Sequence, residues 1–201
     1  KYLSRYNSIS LRELSGVKIV ENLGIKNSVN VLDPTLLLDG NEWRKISSNK
    51  FKNEKYILVY NLNRNKNIDN YAKNLSKKTK LKIKFISYQL HEFYKKGKIY
   101  CNPNVEDFLA LIDNAKYVIT DSFHATAFSI NFNTQFIIVY PGKYSTRLQS
   151  ILKILDLENR VAKNEYDLSI IKNNIDFEKI NYLMSNQRKK SIDWLNQALK
   201  K

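Results

Sequence analysis

Short runs of β-branched and aromatic residues alternate along this chain with longer segments whose apolar residues recur at helical spacing. A strand, a helix and another strand in that order return the chain to the same sheet in parallel, which restricts the fold to the α/β class. Residues 6–11 read as a strand, followed by a helix over about 12–23 with Gly24 as its C-cap. Residues 29–32 form a second short strand. The run at 56–62, Tyr-Ile-Leu-Val-Tyr-Asn-Leu, is apolar enough for a sheet covered on both faces. A helix is expected over 68–80, a strand over 82–88 and a short edge strand over 99–101. Pro103 opens the next helix, with Val105, Phe108, Leu109, Leu111 and Ile112 as its buried stripe.

Further along, a strand at 117–120 is followed by a helix at 125–131. A strand at 136–140 then stops at Pro141-Gly142, and a helix occupies 146–155. The segment 36–50, which contains Trp43, has no clear period and reads as a connection packed on the core. Residues 177–199 form a long amphipathic helix with Phe177, Ile180, Leu183, Ile192, Leu195 and Leu199 toward the core. There is no internal repeat and no low-complexity linker. The reading is a doubly wound, mostly parallel, Rossmann-like domain over 1–175, with the helix of 176–201 packed on it.

At 201 residues, 43% hydrophobic and 12% aromatic, the chain can bury one sizeable core and is not of the disordered class. No run of about 18 apolar residues is present, so no spanning helix is expected. The first five residues, Lys-Tyr-Leu-Ser-Arg, lack the apolar region of a secretory signal. The only methionine is Met184, so the chain reads as a piece whose preceding residues are absent. Cys101 is the only cysteine, and it reads as a small strand or loop residue. It excludes an internal disulfide, and no His/Cys spacing suits zinc, so no metal and a reducing, cytoplasmic compartment are expected.

The formal charge of +15 would suit nucleic acid. However, the lysines are spread through every segment among Asn and Ile, and no helix-turn-helix, zinc-finger or RNP signature occurs, so no specific nucleic-acid partner is expected. An anionic substrate, or peripheral contact with an anionic membrane surface at the inner face of the membrane, fits the charge equally well.

In open parallel sheets, ligands bind beyond the carboxyl ends of the strands. That rule selects Arg12 after the first strand and Asn61, Asn63 and Arg64 after the 56–62 strand. It also selects Asp121, Ser122, Phe123 and His124 after the 117–120 strand, and Lys143, Tyr144, Ser145 and Arg147 after the 136–140 strand. All four groups are expected along one edge. Asp121 or Ser122 can cap the next helix, whose first amides and dipole favour a phosphate or carboxylate. His124 can donate to such an anion or move a proton near neutral pH. The residues alone leave a second reading open, an ordinary capped helix with a satisfied histidine.

The stretch 114–129, centred on Thr120-Asp121-Ser122-Phe123-His124, resembles the central signature of polysaccharide pyruvyl transferases, a T-D-S-F-H-G-type turn. Two further stretches agree in order and approximate spacing. Ser10-Leu11-Arg12-Glu13 resembles the family's S-x-R-E, and Asp33-Pro34-Thr35-Leu36-Leu37, with Trp43 after it, resembles its D-P-T-x-L-L segment. Ser145-Thr146-Arg147 and Leu157-Glu158-Asn159-Arg160 also fit, so the resemblance covers roughly residues 5–165. Ala125 departs from the family's glycine and adds a methyl group at the turn.

The resemblance implies a GT-B-like enzyme that moves the enolpyruvyl group of phosphoenolpyruvate onto a sugar. The product is a pyruvate ketal for surface polysaccharide (exopolysaccharide) biosynthesis. It implies His124 and Arg12 as catalytic residues, His124 at the phosphate or in proton transfer and Arg12 at the donor's anionic groups. Arg147 also serves those groups, with Ser122 as a supporting donor and Asp121 and Asn61 completing the substrate-binding set. Phosphoenolpyruvate is the donor substrate and no separate cofactor is implied. The resemblance further implies a sugar or lipid-linked glycan as acceptor and, as partner, a preceding Rossmann-like half without which this half is expected to be inactive. Asp33 reads as a turn-former, Trp43 and the tyrosines as core, and His91 and Glu92 as surface residues. Two alternatives remain: a GT-B glycosyltransferase using a nucleotide sugar, and a non-enzymatic basic module that binds acidic glycan or nucleic acid.

Overall fold

The computed structural model describes residues 2–88, 95–141 and 145–200. The chain divides into two compact units that interleave in sequence. One comprises Lys1–Leu37, Tyr144–Leu157 and Asp176–Lys201, the other Leu38–Lys143 and Glu158–Ile175.

The first unit begins with strand β1 (Ile9–Leu11), helix α1 (Leu14–Asn22) and strand β2 (Ser28–Asn30), the strands pairing in parallel. The strand expected from residue 6 is shorter because Leu3–Arg5 forms a 3-10 turn and Tyr6 is exposed. Gly24 follows the last helical turn at φ +85°, a conformation that only glycine adopts freely, and its amide donates to Glu21.

The second unit opens with helix α2 (Gly40–Arg44), inside the segment expected to be a plain connection. Its start signal is local: the Asp39 carboxylate accepts from the amides of Asn41 and Glu42. A five-residue helix is too short to show a period. Strand β3 (Tyr56–Tyr60) is buried at every position, as a strand covered on both faces must be. Helix α3 (Lys66–Thr79) buries Ile68, Tyr71, Ala72 and Leu75, one helical face. Strands β4 (Lys82–Ser87) and β5 (Lys98–Cys101) follow. Helix α4 (Val105–Asp113) starts later than Pro103 because Asn104 is the N-cap, accepting from the Asp107 amide at 2.9 Å.

Strand β6 (Tyr117–Thr120), helix α5 (Phe123–Phe132) and strand β7 (Phe136–Ile138) complete the sheet. All strands are parallel, in the order β5-β4-β3-β6-β7, and helices flank the sheet. α5 is buried at every position except His124 and so has no polar face.

The first unit resumes with helix α6 (Thr146–Leu155) and the long helix α7 (Phe177–Leu199). α7 buries Ile180, Met184 and Ser191, whereas Ile192, Leu195 and Leu199, expected to face the core, are exposed. Polar anchors set this rotation. Ser191 accepts from the Leu32 amide at 3.0 Å, and Arg188 donates to the Leu36 carbonyl at 2.8 Å.

Candidate functional site

Hydroxyl groups build the turn between β6 and α5. Thr120 is fully buried; its Oγ1 donates to the Tyr60 carbonyl at 2.7 Å and accepts from the Ser122 amide at 2.9 Å. The first bond ties the end of β6 to the end of β3, and the second bends the chain out of the strand. Ser122 is the N-cap, with Oγ 3.5 Å from the Ala125 amide, and Thr126 Oγ1 donates back to the Ser122 carbonyl at 2.9 Å. The helix therefore starts two residues before the expected Ala125. His124 falls in its first turn, with an exposed side chain set edge-on to the Phe123 ring. Ala125 is fully buried, so its extra methyl points into the unit and not out at the helix start.

Asp121 is 3% exposed. Its Oδ1 accepts from the Leu62 amide at 2.8 Å, and its Oδ2 from the Asn63 amide and Asn63 Nδ2, both at 2.9 Å. Buried polar groups need partners, and here they are the amides of the loop after β3. Asn61 closes the same loop: its Oδ1 accepts from the Asn65 amide at 2.8 Å and its Nδ2 donates to the Asn65 carbonyl at 2.9 Å. Within it Arg64 has φ +56°, and its side chain lines a cavity of about 60 Å³ with Tyr60, Asn61, Ser87 and Tyr88.

In the first unit, the other two expected residues meet at one carboxylate. Arg12 Nη1 lies 2.8 Å from Asp33 Oδ2, and Arg147 Nη1 lies 4.0 Å from the same oxygen. Asp33 also accepts from the Thr35 amide and hydroxyl, at 3.1 and 2.9 Å. Burial pushes its pKa up, but the Thr35 bonds and the Arg12 guanidinium outweigh it and hold the carboxyl below its ordinary value. Asp33 is thus a turn-former that also orders two arginines, a role the D-P-T pattern does not disclose. About half of the Arg12 side chain remains exposed, which leaves it open to an anion.

The expected residues therefore form two sets. Asn61, Asp121, Ser122 and His124 sit at the carboxyl edge of the five-stranded sheet, and Arg12 and Arg147 gather around Asp33. Lys143, Tyr144, His91 and Glu92 lie outside the described residues. Among the described residues, no group of three His, Cys, Asp or Glu could hold a metal ion, and no helix is long and apolar enough to cross a membrane.

A parallel sheet flanked by helices, with its polar turns at the carboxyl edge, defines a Rossmann-like α/β protein of the GT-B-like kind. The fold is similar to that of the Methanocaldococcus jannaschii UDP-GlcNAc 2-epimerase, a structure in complex with UDP-GlcNAc and UDP. The TM-score is 0.55 at 16% identity, over 90% of this chain. The chain spans 55% of the length of that structure. No curated protein matches the chain. The profile described as polysaccharide pyruvyl transferase matches residues 1–143, a span that contains Arg12, Asn61, Asp121, Ser122 and His124 and ends before Arg147. The chain belongs to the polysaccharide pyruvyl transferase family.

Proposed function

We propose that the protein transfers the enolpyruvyl group of phosphoenolpyruvate to a sugar or lipid-linked glycan. The observation that carries this reading is His124, exposed in the first turn of α5 at the end of buried β6. A helix start favours an anion through its amides and dipole. An imidazole there suits a reaction that protonates the donor's methylene carbon while a sugar hydroxyl adds to C2 and a second hydroxyl displaces phosphate. Two new C–O bonds and one new C–H bond then offset the lost alkene and the departing phosphate. Arg12 and Arg147 would neutralise the donor's carboxylate or phosphate, for which a planar guanidinium is suited. Ser122 shapes the turn, and the net charge of +15 favours an anionic donor.

The test is phosphate release by the full-length protein given phosphoenolpyruvate and a panel of glycan acceptors. Release that depends on acceptor is expected, and His124→Ala should lower it about 10²–10⁴-fold with the fold intact by circular dichroism. Undiminished release in His124→Ala would overturn the assignment of His124. Stabilisation by UDP and not by phosphoenolpyruvate would favour a nucleotide-sugar enzyme, since the epimerase of similar fold is in complex with UDP-GlcNAc and UDP.

A further inference from the structure

We propose that the cavity beside Arg64 is a subsite for a small oxyanion, a carboxylate or phosphate head, and that Asp121 is the positioning residue that holds Arg64 to it. The first support is backbone conformation. A long side chain at φ +56° is uncommon and strained, so it persists only where the surroundings impose it. They do so here: Asp121 grips two successive amides, Asn61 and Asn65 bond reciprocally, and Asn65 Nδ2 donates to the Tyr140 carbonyl at 3.2 Å. A loop held this firmly has one defined place for residue 64.

The second support is charge. The Arg64 guanidinium is exposed and makes no hydrogen bond or ion pair with another described residue, and among the described residues no acidic side chain lines the cavity. Asp121 is committed to amides, and Asp69, 3.5 Å from Asn61 Nδ2, is paired with Lys95 at 3.3 Å. Around the space stand this cation, Asn61, Ser87 and the two tyrosines, with Leu62 and Ile86 as its apolar part. Burial pushes the Tyr60 phenol up, so it keeps its proton as a donor throughout the physiological range. The third support is size. At about 60 Å³ the cavity exceeds the ~10–15 Å³ that one water needs, so it has room for a carboxylate or phosphate head. The cavity also shares the sheet edge with the Asp121-Ser122 turn, one strand away.

The inference rests on the pyruvyl-transfer reading only for the source of the oxyanion, which is either the donor or an acidic acceptor. The test titrates inorganic phosphate and pyruvate against the full-length protein by calorimetry, alongside steady-state kinetics. Arg64→Gly retains the φ > 0 conformation without its strain, so it should fold at least as stably as the parent. Binding of the oxyanion should nevertheless weaken by about tenfold or more. Asp121→Asn should raise KM with kcat recovered at saturation, a split that general loss of fold would not produce. A raised KM for phosphoenolpyruvate alone assigns the subsite to the donor, and a raised KM for the acceptor alone to the acceptor. Parental phosphate and pyruvate affinity in Arg64→Gly would overturn the subsite even if transfer is normal. Weakened oxyanion binding in a protein that transfers no pyruvyl group would keep the subsite and sink the proposed function.

Discussion

Arg160 donates to the Phe136 carbonyl from both Nε and Nη2, at 3.1 and 2.9 Å. Its Nη1 donates to the carbonyls of Ile170 and Asn173 at 3.1 and 2.8 Å. The side chain is 3% exposed, and each of these acceptors is a backbone oxygen. Burial lowers its pKa, but a guanidinium remains charged in proteins. It binds the segment after α6 to the start of β7 within the second unit. Arg160→Ala leaves three carbonyls without these partners, so unfolding in urea should show a loss of about 3 kcal/mol or more. A loss below about 1 kcal/mol would mean that the carbonyls find other partners.

Gly40 opposes two effects that differ in sign. A helical Gly→Ala change ordinarily stabilises by about 1 kcal/mol. A Cβ at position 40, however, would collide with the Asn131 carbonyl oxygen of α5. Gly40→Ala should therefore destabilise by about 1–3 kcal/mol, because backbone must move. The sign of the change in denaturation midpoint decides between the two.

Asp33 predicts an acid dependence. Its folded-state pKa lies below the ordinary 3.8, so between the two values the unfolded chain binds more protons. Its stabilising contribution is therefore complete above about pH 4–5 and is lost as pH falls through the folded value. The difference in unfolding free energy between the parent and Asp33→Asn should stay flat from pH 7 to about 5 and shrink below about 4. A difference that does not change with acid would show that Arg12 and Thr35 do not favour the charged form.

The face of α7 can be tested by substitution. Met184 is 1% exposed and Leu199 77%. Met184→Ala should cost about 2–4 kcal/mol, whereas Leu199→Ser should lie within about 0.5 kcal/mol of the parent. Ser191→Ala removes the acceptor of the Leu32 amide and should cost about 1–2 kcal/mol. Thermal unfolding of the three variants ranks them directly.

Those contrasts divide what is local from what is not. β3 was legible as a doubly covered strand because five consecutive apolar residues leave no polar face. The α5 turn was legible in kind, since a hydroxyl beside a buried strand end is a cap signal, although its first helical residue fell two places earlier. The carboxyl-edge rule also placed Asn61, Asp121, Ser122 and His124 along one sheet edge. Nothing near position 121 could disclose that Asp121 would hold amides at 62 and 63, because that bond spans 59 residues. Asp33 collecting two arginines, Arg160 binding three carbonyls, and α7 turning Ser191 inward in place of Leu195 are of the same kind. Spacing and caps act within a few residues and can be read in order. Partnerships between distant buried polar groups depend on which segments the folded sheet brings together, and they set loop position, side-chain direction and helix rotation.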